Sequence, residues 1–125
     1  AAKARGLELK QGIKAMIVKD EAGKRVLGLI AADKRIDLKK LAALAGTGRL
    51  SLAKPDEVLR LTGCEVGSVH PFGNLHKLPT YLDVSVKENE IVDFNIGLHT
   101  HSAIMKATDF VEAVKPIEGR FAAEK

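Results

Sequence analysis

The sequence has a single cysteine and few aromatic side chains, and it lacks long apolar runs. One cysteine, Cys64, excludes an intramolecular disulfide and a zinc site built from several cysteines. No stretch reaches the roughly 18 uninterrupted apolar residues of a membrane span, and no charged and then apolar signal segment opens the chain. We therefore expect a cytoplasmic protein with no membrane partner.

Three common enzyme signatures are also missing. The chain contains no G-x-S-x-G nucleophile motif and no Walker loop, and Gly46-Thr47-Gly48 has no third glycine in register for a dinucleotide fingerprint. Serine hydrolase, nucleoside triphosphatase and Rossmann-type functions are therefore set aside.

The composition suits one globular domain. The chain has 125 residues, of which 46% are apolar and 29% charged, and we expect residues 1–125 to form a single domain. Twenty Lys and Arg against sixteen Asp and Glu give a net charge of +4, which permits a polyanionic partner without requiring one.

Apolar periodicity predicts alternating strands and helices. Two of the strands are expected to form a hairpin around residues 20–23, and two others a second hairpin around residues 88–90. The predicted strands are Ile13–Lys19, Val26–Ala32, Leu50–Ala53, Leu82–Lys87, Ile91–Ile96 and Ser102–Lys106. The predicted helices begin after Asp37 and end at Gly46, begin at Pro55 and end at Gly63, and run from Ala107 to Val114. The segment from Gly63 to Pro79 is rich in glycine and proline and is expected to be a shaped loop.

Lys14 is the first candidate for chemistry. It shares a strand face with Met16 and Val18, so its ammonium must either extend past the end of the strand or lie partly desolvated near an anion. A solvated lysine at the sheet edge is the alternative interpretation.

The loop 67–73, Gly-Ser-Val-His-Pro-Phe-Gly, is the second candidate. Glycine permits positive φ and proline stiffens the chain, so backbone N–H groups here can be directed at a ligand oxygen. An ordinary tight connection is the alternative.

The remaining candidates are histidines and the cysteine. His99 and His101 would share one face of an extended segment, but two histidines without a recognised third ligand make a weak metal site. Cys64 would be either a thiolate nucleophile or, more commonly, a small buried hydrophobe.

Taken in order, these pieces resemble the YbaK family, also known as the prolyl-tRNA synthetase editing-domain family. Residues 62–73, TGCEVGSVHPFG, resemble its T-G-x-x-x-G-x-x-x-P-[FL]-G stretch, and residues 94–99, FNIGLH, resemble its F-N-A-G-S-H form. Lys14 matches the lysine of its K-[ST]-L strand, and residues 81–83, Tyr-Leu-Asp, match its hydrophobic-Asp strand. The usual N-terminal leader of the family is expected to be missing. Ala15 and Ile96 depart from the pattern, because the family has Ser or Thr and a small residue at these places.

This resemblance implies an α+β fold with a mixed, strongly bent β-sheet or partial barrel flanked by helices. It implies an aminoacyl-tRNA deacylase that uses no metal and no cofactor and binds the acceptor end of aminoacyl-tRNA, with an aminoacyl-tRNA synthetase as a further partner. Lys14 and Gly67 would be the catalytic residues, with Lys14 holding phosphate and ribose and Gly67 presenting backbone donors to the ester carbonyl. The substrate-binding residues would be Ser68, Val69, His70, Pro71, Gly97 and His99.

The leading functional hypothesis is a free-standing editing hydrolase that acts on a small amino acid misattached to tRNA. Alanyl-tRNA(Pro) is the first substrate expected, with cysteinyl- or seryl-tRNA next. A non-catalytic tRNA-binding or synthetase-associated module on the same fold is the alternative, and a metal-dependent hydrolase using His99 and His101 is a third hypothesis.

Overall fold

The computed structural model describes residues 9–96 and 102–124. Its strands are β1 Ile13–Lys19, β2 Arg25–Ala31, β3 Ser51–Leu52, β4 Thr80–Asp83, β5 Ile91–Asn95, β6 Ser102–Lys106 and β7 Ile117–Gly119. Its helices are α1 Leu38–Ala45, α2 Pro55–Thr62, α3 Gly73–His76 and α4 Ala107–Val114, with short 3-10 helices at Leu9–Gln11 and Val84–Glu88.

The strands form one mixed sheet and one separate pair. The five-stranded sheet has the order β3-β1-β2-β4-β7, in which β1 is antiparallel to both β2 and β3 while β4 is parallel to β2 and β7. Strands β5 and β6 pair antiparallel with each other. The predicted α+β fold with a mixed sheet and helices is confirmed, and the sheet is open, with β3 and β7 at its edges.

Local signals set the ends of the first two long helices as predicted. The Asp37 carboxylate accepts hydrogen bonds from two backbone N–H groups of the first turn of α1, and Gly46 ends that helix at φ 69°. Pro55 opens α2, where its missing N–H costs nothing, and Gly63 ends it at φ 72°. The hairpin of β1 and β2 is confirmed as well.

The second predicted hairpin, Leu82–Lys87 with Ile91–Ile96, is wrong. Strand β4 stops at Asp83, whose side chain accepts a hydrogen bond from Ser85 N and caps the 3-10 helix that follows. The other oxygen of the same carboxylate accepts from the backbone N–H groups of Phe121 and Ala122. Asp83 thus ties β4 to the C-terminal segment, and β5 pairs with β6 instead.

Two hydrophobic clusters cover the two faces of the sheet. Alternation along β1 sends Ile13 and Ile17 into one cluster, with the aromatic ring of Phe110 on α4. It sends Val18 into the other, against Leu41 of α1. Within residues 9–96 and 102–124, no helix is long and apolar enough to cross a membrane.

Candidate active site

A cavity of about 240 Å³ lies beside the outer edge of β1. Strand β3 pairs with β1 only from Val18 to Lys19, and after the bond from Ala53 N to the Ile17 carbonyl the chain turns away into α2. The cavity occupies the space that this departure leaves. The described residues that line it are all apolar or glycine, and they are Ala15, Met16, Ile17, Leu52, Ala53, Pro55, Val58, Val66, Gly67 and Val69.

Gly67 lines this cavity in a backbone conformation that favours glycine, with φ 89°. The loop around it is held from two sides. Ser68 is buried, and both its backbone N–H and its hydroxyl donate to the carbonyl of Glu65, at 2.9 and 2.8 Å. From β5, the side-chain amide of Asn95 donates to the Gly67 carbonyl at 2.6 Å. The cavity therefore has one wall of fixed main chain.

The other loop residues predicted to bind substrate are divided between the cavity and the interior. Val69 lines the cavity, whereas Ser68 and Pro71 are buried. The Ser68 hydroxyl donates a hydrogen bond to the main-chain carbonyl of Glu65. His70 stacks on His76 with ring centroids 4.0 Å apart, and the ring nitrogen Nε2 of His76 is 3.1 Å from the His70 carbonyl oxygen. Burial, followed by the charge of His76, lowers the pKa of His70.

Lys14 is next to the cavity in sequence, but its ammonium is held elsewhere. Alternation places its side chain on the sheet face opposite Ala15, and its ammonium donates to the main-chain carbonyl of Lys34 beyond β2. Among the residues that the structure describes, Lys14 is not part of the cavity wall. The catalytic role of Lys14 stays a prediction.

Gly97, His99 and His101 lie outside the described residues, so their predicted roles stay predictions. Within the described ranges, no cluster of three or more His, Cys, Asp or Glu side chains is placed to hold a metal ion. Cys64 is buried in the hydrophobic cluster that also contains Val58, which agrees with a packing role for its thiol.

Sequence reasoning missed the far wall of the cavity and the ion pairs behind it. Pro55 and Val58 of α2 line the cavity, and Glu57 between them is buried and bonds to Lys19 of β1 and Arg25 of β2. Hydrogen bonds from Arg25 and then Lys19 lower the pKa of the Glu57 carboxyl to about 2. These pairs attach α2 to the sheet. Asp56 and Glu57 both stand in the first turn of this helix, and nothing in the sequence shows that one of them has such distant partners.

Comparison with known proteins gives one consistent result. The family model of the aminoacyl-tRNA editing domain matches residues 1–113. The chain is 38% identical over 116 residues to the multifunctional Ser/Thr-tRNA deacylase ProXp-y of Escherichia coli strain K12. The aligned region covers 90% of this chain and 70% of that protein. It is 30% identical over 92 residues to a proline–tRNA ligase of Trichlorobacter lovleyi, covering 74% of this chain and 16% of the ligase. A crystal structure of a proposed trans-editing enzyme for prolyl tRNA synthetase superposes with a TM-score of 0.87 at 29% identity, over 98% of this chain and 77% of that one.

Proposed function

The chain belongs to the aminoacyl-tRNA editing domain family, and on this basis we propose that residues 1–125 form one editing domain that hydrolyses mischarged aminoacyl-tRNA in trans. Alanyl-tRNA(Pro) is its preferred substrate, with cysteinyl- and seryl-tRNA next. The relative from Escherichia coli, a Ser/Thr-tRNA deacylase by name, supports the reaction class.

The observation that carries the substrate proposal is the apolar lining of the cavity. At about 240 Å³ the cavity has room for a small aminoacyl group and part of the ribose that carries it. Its lining includes no side-chain hydroxyl, amide or charge among the described residues. A methyl side chain therefore loses nothing on entry, whereas a serine hydroxyl gives up hydrogen bonds to water.

The same lining limits how strongly serine can be rejected. An apolar site discriminates against an isostere that adds a hydroxyl by only about 10²-fold. Alanyl ester should therefore react faster than seryl ester, yet seryl ester should still be hydrolysed. This fits a family in which a relative acts on seryl- and threonyl-tRNA.

The chemistry required is modest because an aminoacyl ester is already activated. Hydrolysis needs a placed water molecule and donors for the developing oxyanion more than a strong protein nucleophile. Gly67 supplies main chain at the cavity wall, where no described lining residue carries a general base. A ribose hydroxyl of the substrate helps to place the water in this proposal.

The acceptor end of the tRNA would approach over the mouth of the cavity. Leu52 and Val66 line the cavity and are each about half exposed, at 52% and 48%, so they offer an apolar rim to the terminal nucleoside. Lys14 would engage phosphate after its ammonium leaves the Lys34 carbonyl. A synthetase partner would supply tRNA selectivity beyond these contacts.

The test is hydrolysis of alanyl-, seryl-, cysteinyl- and prolyl-tRNA, each measured with a chelator present. We expect metal-independent release, fastest from the alanyl ester. Tight tRNA binding without release of any amino acid would refute the hydrolase and support the non-catalytic module. Loss of activity with chelator, restored by added metal, would refute the metal-free mechanism.

A further inference from the structure

We propose that Asn95 is a positioning residue for the reaction, acting through the peptide that joins Gly67 to Ser68. This inference rests on the proposed function, because it assigns Asn95 a part in holding the oxyanion-binding wall. Asn95 is the last residue of β5 and lies 28 positions beyond Gly67 in the chain.

The two polar groups of this one peptide are held by different parts of the protein. Its carbonyl oxygen, on Gly67, accepts from the Asn95 amide at 2.6 Å. Its N–H, on Ser68, donates to the Glu65 carbonyl at 2.9 Å. The Glu65 contact is local to the loop, whereas the Asn95 contact comes from β5, a strand outside the five-stranded sheet.

A peptide next to glycine needs such external support. Glycine adopts positive and negative φ almost equally, so the bond geometry at Gly67 alone does not fix the orientation of its carbonyl. At φ 89°, the carbonyl is directed to Asn95. A reoriented peptide would lose the hydrogen bonds to Asn95 and Glu65 and shift the Gly67 main chain that forms the cavity wall, which displaces the groups meant to meet the oxyanion. The Asn95 amide prevents this.

Asn95 holds the peptide as a hydrogen-bond donor, and a side chain of the same shape without a donor does not replace it. Asparagine supplies an NH₂ donor, whereas an ionised aspartate of nearly the same shape has only acceptors. Asn95→Asp therefore places two acceptors against each other and keeps the packing. A protonated carboxyl regains one donor, so the defect should be partly reversed by acid.

The experiment compares Asn95→Asp and Asn95→Ala with Asn89→Asp and Asn89→Ala. Asn89 is a matched control, because its side-chain amide also donates to a main-chain carbonyl, that of Lys10, at 2.7 Å, and it does not line the cavity. Misplacement near the reacting atoms by about 1 Å costs on the order of 10²-fold in rate. We expect kcat on the preferred ester to fall about 10- to 100-fold for the Asn95 variants, with KM within about threefold, and to be nearly unchanged for the Asn89 variants.

Two further readouts separate positioning from simple support of the fold. The ratio of the Asn95→Asp kcat to the wild-type kcat should rise as the pH is lowered from 7 to 5. Hydrogen exchange at the Ser68 amide should become faster in both Asn95 variants, which is measured without substrate. If Asn95→Ala does not fold, Asn95→Asp provides the same comparison.

The outcomes distinguish the two proposals. An active wild type whose Asn95 variants match the Asn89 controls in kcat would overturn the positioning role. A raised KM with unchanged kcat, or a loss of rate that follows only the loss of thermal stability, would overturn it as well. A wild type that hydrolyses none of the four esters would instead refute the proposed function, while Ser68 exchange would still report whether Asn95 holds the peptide.

Discussion

Replacing Gly67 with alanine tests the cavity wall directly. Gly67 has φ 89° and lines the cavity, so an alanine strains the backbone at the point where it forms the cavity wall. A side chain forced into left-handed conformation costs about 1–2 kcal/mol. For a chain of this size that cost lowers Tm by roughly 3–10 °C. Alanine keeps the backbone N–H, but a strained backbone that moves this donor away from the oxyanion acts like the loss of one donor, which typically lowers kcat by about 10²- to 10³-fold.

The matched control is Gly46→Ala. Gly46 also has positive φ, 69°, but it ends α1, and apart from its own chain neighbours no heavy atom lies within 4 Å of the added Cβ. Both variants should lose similar stability by thermal melting, whereas only Gly67→Ala should lose most of its single-turnover deacylation. Equal deacylation by the two variants at equal Tm would refute the assignment of Gly67 to the reaction.

Four other predictions follow from the site. Lys14→Ala should lower deacylation at least about 10-fold, since a hydrogen bond to a charged group contributes ~1.5–3 kcal/mol; a folded variant with full activity would contradict this role. Cys64→Ala should keep its deacylation rate, because the thiol is buried in the core; an inactive but folded variant would indicate a thiol mechanism. The free energy of unfolding should fall as the pH drops from 4.5 toward 2, because the folded state holds the pKa of Glu57 near 2; denaturant titrations should show a smaller loss over this range for Glu57→Gln. Ala15→Ser should raise the seryl-to-alanyl rate ratio about tenfold by giving the cavity a hydroxyl partner, and an unchanged ratio would place the substrate side chain elsewhere.

Features encoded by neighbouring residues were predictable from the sequence. Asp37, Gly46 and Pro55 act within one helical turn, through a capping carboxylate, a positive φ and a missing N–H, and their helices begin and end as expected. Asp83 shows the limit of this reasoning. The alternation of apolar and polar residues after it predicts a longer strand. Its carboxylate instead accepts a hydrogen bond from the backbone N–H of Phe121, 38 residues away, and the strand ends at Asp83.

The sequence indicated the loop that forms one wall of the candidate site, but it did not indicate which residues form the opposite wall. Glycine and proline spacing marked the segment around Gly67, because glycine permits positive φ and proline fixes φ and removes an N–H wherever they stand. Pro55 and Val58 enter the site only because β3 pairs with β1 for two residues before α2 begins. The ion pairs of Glu57 depend on that same pairing, so no local pattern reports them.

Because side chains alternate along β1, the Lys14 ammonium and the Ala15 side chain that lines the cavity can be changed independently. Lys14 and Ala15 are adjacent in sequence, yet the strand directs them to opposite faces, the lysine to the Lys34 carbonyl and the alanine to the cavity. A substitution at Ala15 can therefore change which amino acid fits without moving the ammonium. Ala15→Ser should accordingly alter the ratio of rates between esters, whereas Lys14→Ala should slow all esters by a common factor.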